Sequence, residues 1–180
     1  MDIPVYLIAG FLDSGKTSFI NGILQDGFAA EDRTLLLCCE EGETAYDPKV
    51  LGNVFTYTID EPEQMTPELF KKLEKQYRPK QVIIEYNGMW LVQELYDAMP
   101  DNWLVYQCLA TADGTTIKTY AGDSAMRSLL LDKIRGSELL VVNRAEAVND
   151  DESRQLIHKL VRQASRRCDI AYEFKDGSVA

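Results

Sequence analysis

Eight residues near the amino terminus, Gly10-Phe11-Leu12-Asp13-Ser14-Gly15-Lys16-Thr17, satisfy the spacing G-x-x-x-x-G-K-[ST] in full. That spacing serves to cradle a polyphosphate. Glycines at both ends let the loop wrap until its backbone N–H groups converge on phosphate oxygens. The helix that the loop opens adds the partial positive charge of its N-terminus. Lys16 is expected at the β- and γ-phosphates and the Thr17 hydroxyl on Mg²⁺. Leu12, Asp13, Ser14, Gly15 and Ser18 complete the expected nucleotide contacts.

A loop of this kind needs an acid at the end of a neighbouring strand to hold Mg²⁺, directly or through water. Val82-Ile83-Ile84-Glu85-Tyr86-Asn87-Gly88 supplies Glu85, and Gly88 three residues on lets a backbone N–H come close to a γ-phosphate. The run Glu40-Glu41-Gly42-Glu43 is, in isolation, a solvated acidic turn. Beside a Mg²⁺–triphosphate, Glu40 joins the expected metal ligands and Glu43 the residues that orient water. Asp113 is a further strand-end acid whose role the sequence leaves open.

Nearer the carboxyl terminus, Leu139-Leu140-Val141-Val142-Asn143-Arg144-Ala145-Glu146 is a buried strand followed by a variant of N-K-x-D. Guanine offers acceptors at N7 and O6 and donors at N1 and N2. Asn143 suits the first pair, Glu146 the second, and the stem of Arg144 packs on the ring face. Arg for Lys and Glu for Asp keep the charges and change the geometry.

These residues must be held at one end of one scaffold. Strands are expected over Pro4–Ala9, Thr34–Cys39, Asn53–Ile59, Gln81–Glu85, Trp103–Ala110, Glu138–Val142 and Asp169–Phe174. Helices are expected over Lys16–Leu24, Thr66–Gln76, Trp90–Ala98, Ser124–Ile134 and Asp151–Arg166. Such alternation predicts an α/β fold of the P-loop NTPase type, a mostly parallel sheet with helices on both faces. Ligands in such sheets bind beyond the carboxyl ends of the strands, where each motif falls.

The bulk properties agree with one domain. The chain has 180 residues, 46% of them hydrophobic, and a formal charge of −10. That charge argues against a nucleic-acid surface, which is held mostly by Lys and Arg. No apolar run approaches the ~18 residues of a membrane span, and no leader is apparent, so a cytoplasmic location is expected. Cys38, Cys39, Cys108 and Cys168 form no C-x-x-C pair and read as buried reduced thiols. His158 reads as a surface residue.

In this order the motifs resemble those of the CobW-type P-loop GTPases, which are related to metallochaperones. The family's G-F-L-G-x-G-K-T is matched by Gly10 to Thr17 with Asp13 for the usual Gly, and its N-E-F-G-E by Cys39-Glu40-Glu41-Gly42-Glu43. Its E-x-x-G is Glu85-Tyr86-Asn87-Gly88, and its N-K-x-D is similar to Asn143-Arg144-Ala145-Glu146. The resemblance implies a slow Mg²⁺-dependent hydrolysis of GTP to GDP and a switch that controls docking to a metalloprotein or permease client, with a nucleotide-dependent homodimer. Two departures stand out. The interval Glu41 to Gln81 holds no cysteine, so the family's C-x-C-C metal motif is missing, and the expected span is the GTPase domain without the family's C-terminal domain. Two other uses of the loop remain open. A regulatory module that binds nucleotide without turnover is compatible with the altered base motif. An ATP-dependent small-molecule kinase would need an Arg-rich lid, and no Arg cluster follows the middle strands.

Overall fold

The structure, a computed structural model, describes residues 1–11, 14–40, 46 and 51–180. Seven strands form one sheet: β1 (Ile3–Gly10), β2 (Thr34–Cys38), β3 (Val54–Thr58), β4 (Gln81–Glu85), β5 (Trp103–Asp113), β6 (Leu139–Asn143) and β7 (Asp169–Tyr172). Their order is β3-β2-β4-β1-β5-β6-β7, and every neighbouring pair is parallel. The chain leaves β1 for β2 on one side and later returns to β5 on the other. The loop after β1 therefore opens at the point where the winding reverses, which is where such sheets bind ligands.

Helices α1 (Lys16–Gln25), α2 (Pro67–Tyr77), α3 (Val92–Ala98), α4 (Ile117–Gly122), α5 (Ser124–Arg135) and α6 (Asp151–Ala164) make the crossovers. Their starts are written in local chemistry. Thr66 Oγ1 accepts from the Leu69 N–H at 3.1 Å with Pro67 in the first turn. Asp123 and Asp150 cap α5 and α6 in the same way.

Cover is uneven between the two faces. On one, Val5, Leu7, Leu35, Leu37, Val82 and Ile84 pack under α2 and α3. On the same face Ala110, Ala112, Leu140 and Val142 pack under α4, α5 and α6. The opposite face buries Ile8, Leu36 and Ile83 under Ile20 and Leu24 of α1, the single helix on that side among the described residues.

Several boundaries differ from the sequence reading. β5 runs three residues past Ala110, because Thr111, Ala112 and Asp113 pair with Val141, Val142 and Asn143 of β6. α3 begins at Val92 rather than Trp90, its first N–H held by Asp132 Oδ2 at 3.1 Å. α4 was not foreseen: six residues give too few turns for an apolar period to register, and only Ile117 and Ala121 are fully buried, with Tyr120 partly buried against Phe11.

Candidate functional site

Gly15 ends the loop and caps α1 in the left-handed region (φ 94°), and a Cβ there would lie 2.1 Å from Asn143 Nδ2. Glycine is thus required for both backbone and space. Ser14 Oγ meets Thr111 Oγ1 at 2.7 Å, which moors the loop to β5. Thr17, in the first turn of α1, donates to Glu85 Oε1 at 2.5 Å, joining the loop to the end of β4. The hydroxyl of Tyr46 bonds the other Glu85 oxygen, and Thr17 and Glu85 together surround it. Burial, then the Glu85 charge, pushes the Tyr46 phenol far up, so it stays protonated and donates.

Lys16 is where the sequence places it, although its ammonium does not point as expected. Nζ donates to the carbonyls of Gly10 (2.6 Å) and Phe11 (2.7 Å) and pairs with Glu40. A buried ammonium with three donors must find acceptors, and its own loop offers them. Glu40, expected beside the metal, lies on Lys16 instead. Burial raises its pKa, the Lys16 charge opposes that rise, and Glu85 and the Gly88 N–H act on it more weakly in opposite senses. Gly88 sits against the loop itself, since a Cβ there would be 2.5 Å from the Gly10 carbonyl oxygen and 2.6 Å from Phe11 Cα.

On the far side of the loop, Asn143 Nδ2 donates to the Ser14 carbonyl at 2.5 Å. Its second N–H is a donor still available to a base acceptor. Arg144 takes a left-handed turn (φ 48°) and sends Nη1 to Asp113 Oδ2 at 2.5 Å. Asp113 also accepts from Thr115 N (2.8 Å) and Oγ1 (2.7 Å), so this acid stiffens the loops around the base motif and stands away from Thr17 and Glu85. Glu146 Oε1 accepts the Lys175 N–H at 2.5 Å, which leaves one carboxylate oxygen for other donors. The base-motif residues, with Ser18, Phe19, Ile23, Val141 and Phe174, line a groove of about 920 Å³. A second groove of about 520 Å³ opens on the Gly88 side of the loop between Phe11, Cys39, Glu40, Asn87, Met89 and Met126.

Of the predicted site residues, Ser14, Gly15, Lys16, Thr17, Glu40, Glu85 and Gly88 gather around the loop, and Ser18, Asn143, Arg144 and Glu146 around the larger groove. Leu12, Asp13 and Glu43 lie outside the described residues. Tyr46, Thr111 and Thr115 were missed, since single polar residues in unpatterned stretches give no periodic or spacing signal. Cys39, Cys108 and Cys168 are buried free thiols and Cys38 a half-buried one, its pKa pushed up to about 12, chiefly by burial. No group of three or more His, Cys, Asp or Glu placed to hold a metal occurs among the described residues. The Thr17–Glu85 pair offers hard oxygen donors, which suit a cation that takes its remaining ligands from phosphates and water. No described helix is long and apolar enough to cross a membrane.

Comparison with known proteins agrees with this geometry. The sequence profile of the CobW/HypB/UreG nucleotide-binding domain matches residues 4–171. A zinc chaperone CobW from Sinorhizobium sp is 26% identical over 219 aligned positions, covering 99% of this chain and 60% of its own length. The chain thus spans about 60% of that curated relative. Among solved structures, the Zn(II)-bound YjiA GTPase of E. coli superposes with a TM-score of 0.63 at 19% identity, covering 94% of this chain and 57% of its own. The hydrogenase maturation factor HypB of Archaeoglobus fulgidus gives 0.64 at 16% identity, over 97% and 82%. At such identities these two likenesses establish the fold alone.

Proposed function

The chain belongs to the CobW/HypB/UreG family of metallochaperone-like P-loop GTPases, and from that premise we propose that it binds Mg²⁺·GTP, hydrolyses it slowly to GDP, and uses the difference between the two states to control docking to a client protein. One observation carries the reading: the phosphate loop is tied on one side to an acid–hydroxyl pair and on the other to the base motif. The Thr17–Glu85 contact (2.5 Å) and the Asn143–Ser14 contact (2.5 Å) are those two ties.

In this reading Leu12, Asp13, Ser14 and Gly15 present N–H groups to the phosphates, and Lys16 turns from its loop carbonyls to the β- and γ-oxygens. Thr17 and Glu85, with Glu40 released from Lys16, hold Mg²⁺, which when bound neutralises charge on the β- and γ-phosphates. Gly88 brings its N–H to the γ-phosphate, and Glu43 orients the attacking water. Asn143, Arg144 and Glu146 take the guanine in the larger groove, with Ser18 at its edge. When the γ-phosphate leaves, the Glu40 and Gly88 segments lose a shared partner, which is how switch segments relax. Among the described residues no base stronger than a carboxylate stands beside Thr17, Glu85 and Gly88, which supports slow turnover in the isolated domain.

Equilibrium binding of GTP and ATP, each with Mg²⁺, to wild type and to Lys16→Ala tests the proposal. Tenfold tighter binding of GTP (~1.4 kcal/mol), lost in the variant, is the expected result. Equal or tighter binding of ATP would remove the guanine reading. Binding without phosphate release, with or without a client, would favour a regulatory module that does not turn over.

A further inference from the structure

The contacts of Glu40 coincide with those assigned above to a γ-phosphate. Lys16 Nζ, placed on the β- and γ-oxygens, pairs with the Glu40 carboxylate. The Gly88 N–H, placed on the γ-phosphate, faces the same carboxylate and favours its charged form. Donors from two separate segments, the start of α1 and the turn after β4, thus converge on one anionic group. Charge-assisted donors gathered in this way hold an anion firmly.

The chain keeps that carboxylate in reach. Cys39, the residue before Glu40, donates its N–H to the Glu85 carbonyl at 2.9 Å. Its own carbonyl accepts from Asn87 Nδ2 at 3.2 Å, and Asn87 Oδ1 accepts the Met89 N–H at 2.8 Å. Asn87 therefore ties the end of β2 to the turn that carries Gly88, and Gly88 stands against Gly10 and Phe11 of the phosphate loop.

An ammonium has three donors, and that of Lys16 already meets three oxygens: the carbonyls of Gly10 (2.6 Å) and Phe11 (2.7 Å) and the Glu40 carboxylate. A phosphate oxygen must displace one of them. The carbonyls belong to the main chain of the loop. Glu40 is the acceptor that side-chain rotation can move, and it borders the groove of about 520 Å³ into which it can turn. Like charges repel strongly where water is scarce, so two anions do not share these donors. The neighbouring charges do not relieve that conflict: Glu85 adds to it, and Lys133, buried on α5, is paired with Asp132.

We propose that Glu40 competes with the γ-phosphate, its carboxylate and the terminal phosphate of a nucleoside triphosphate alternating on Lys16 and the Gly88 N–H. A diphosphate leaves the carboxylate in place, and a triphosphate expels it toward the groove beside Phe11 and Met89. Glu40 thereby sets the discrimination between three phosphates and two. The inference rests on the phosphate-site reading and is independent of the base.

Binding in EDTA isolates the competition from any role of Glu40 on a cation. GTP, GDP and inorganic triphosphate are titrated into wild type and into Glu40→Gln, which keeps the shape of the side chain without its charge. The expected gain in the variant is about tenfold or more for GTP and triphosphate and under about threefold for GDP. Equal gains for GTP and GDP, no gain, or a loss would overturn the proposal. A second readout needs no nucleotide. Thermal unfolding in sodium phosphate is compared with sodium chloride of equal ionic strength for wild type, Glu40→Ala and Lys16→Ala/Glu40→Ala. The general stabilising action of phosphate is common to all three, and Glu40→Ala should gain beyond it because orthophosphate takes the place of the carboxylate. Equal shifts in the three proteins would count as refutation, and if Glu40→Ala does not fold, Glu40→Gln decides. Failure of wild type to bind any nucleotide, with or without Mg²⁺, would strike the functional reading, and the phosphate comparison would then decide the inference alone.

Discussion

Replacing Gly88 by alanine adds one methyl group where the E-x-x-G segment meets the phosphate loop. The new Cβ would stand 2.5 Å from the Gly10 carbonyl oxygen and 2.6 Å from Phe11 Cα. Ordinary contacts of carbon begin near 3.5 Å, so the two segments would have to part by about 1 Å. Both contacts are backbone atoms, so no side-chain rotation relieves them. Overpacking of this kind costs about 1–3 kcal/mol. If the strain is borne by the nucleotide-ready loop, affinity falls by roughly ten- to a hundredfold. If it is borne by the fold, the melting temperature drops by about 2–4 °C per kcal/mol for a chain of this size. Titration with fluorescent GTP and GDP, together with thermal unfolding of the free protein, reads both parts. Both nucleotides are expected to weaken at least tenfold, because Gly10 and Phe11 precede every phosphate contact. Gly122→Ala, where a Cβ would meet nothing within 4 Å, is the neutral control. Unchanged melting and GTP binding within twofold of wild type in Gly88→Ala would refute the claimed contact between switch and loop.

Three further predictions rest on single contacts. Tyr46 places its hydroxyl on Glu85 and beside Thr17, so Tyr46→Phe should lower the Mg²⁺ concentration needed for half-maximal GTP binding several-fold, on the order of 1 kcal/mol; a Mg²⁺ titration at fixed labelled nucleotide that shows no change would count against it. Asp113→Ala removes the acceptor of Arg144 and of Thr115, and GTP affinity is expected to fall about fivefold while affinity for inorganic triphosphate holds, as isothermal titration would reveal. Lys133 is buried and bonded to Asp132 at 2.9 Å, and burial holds its pKa below the ordinary lysine range. The unfolded chain then binds that proton more tightly, so stability should climb as pH rises from the lowered value to the ordinary one; urea melts of Lys133→Met should lack that climb.

The strands and the phosphate loop were legible because their signals are local. Val82-Ile83-Ile84 and Leu140-Val141-Val142 are apolar in unbroken runs, as parallel strands inside a sheet are, and Gly15-Lys16-Thr17 completes a spacing that specifies a phosphate loop. Thr17 and Glu85, expected on one cation, do meet, but the contacts of Ser14 with Thr111 and with Asn143 were not legible, because they join residues far apart in the chain. Asp113 looked like another strand-end acid until the pairing of β5 with β6 carried it beside Arg144. Lys16 and Glu40 were assigned separate partners, phosphate and metal, and the burial of both is what joins them here.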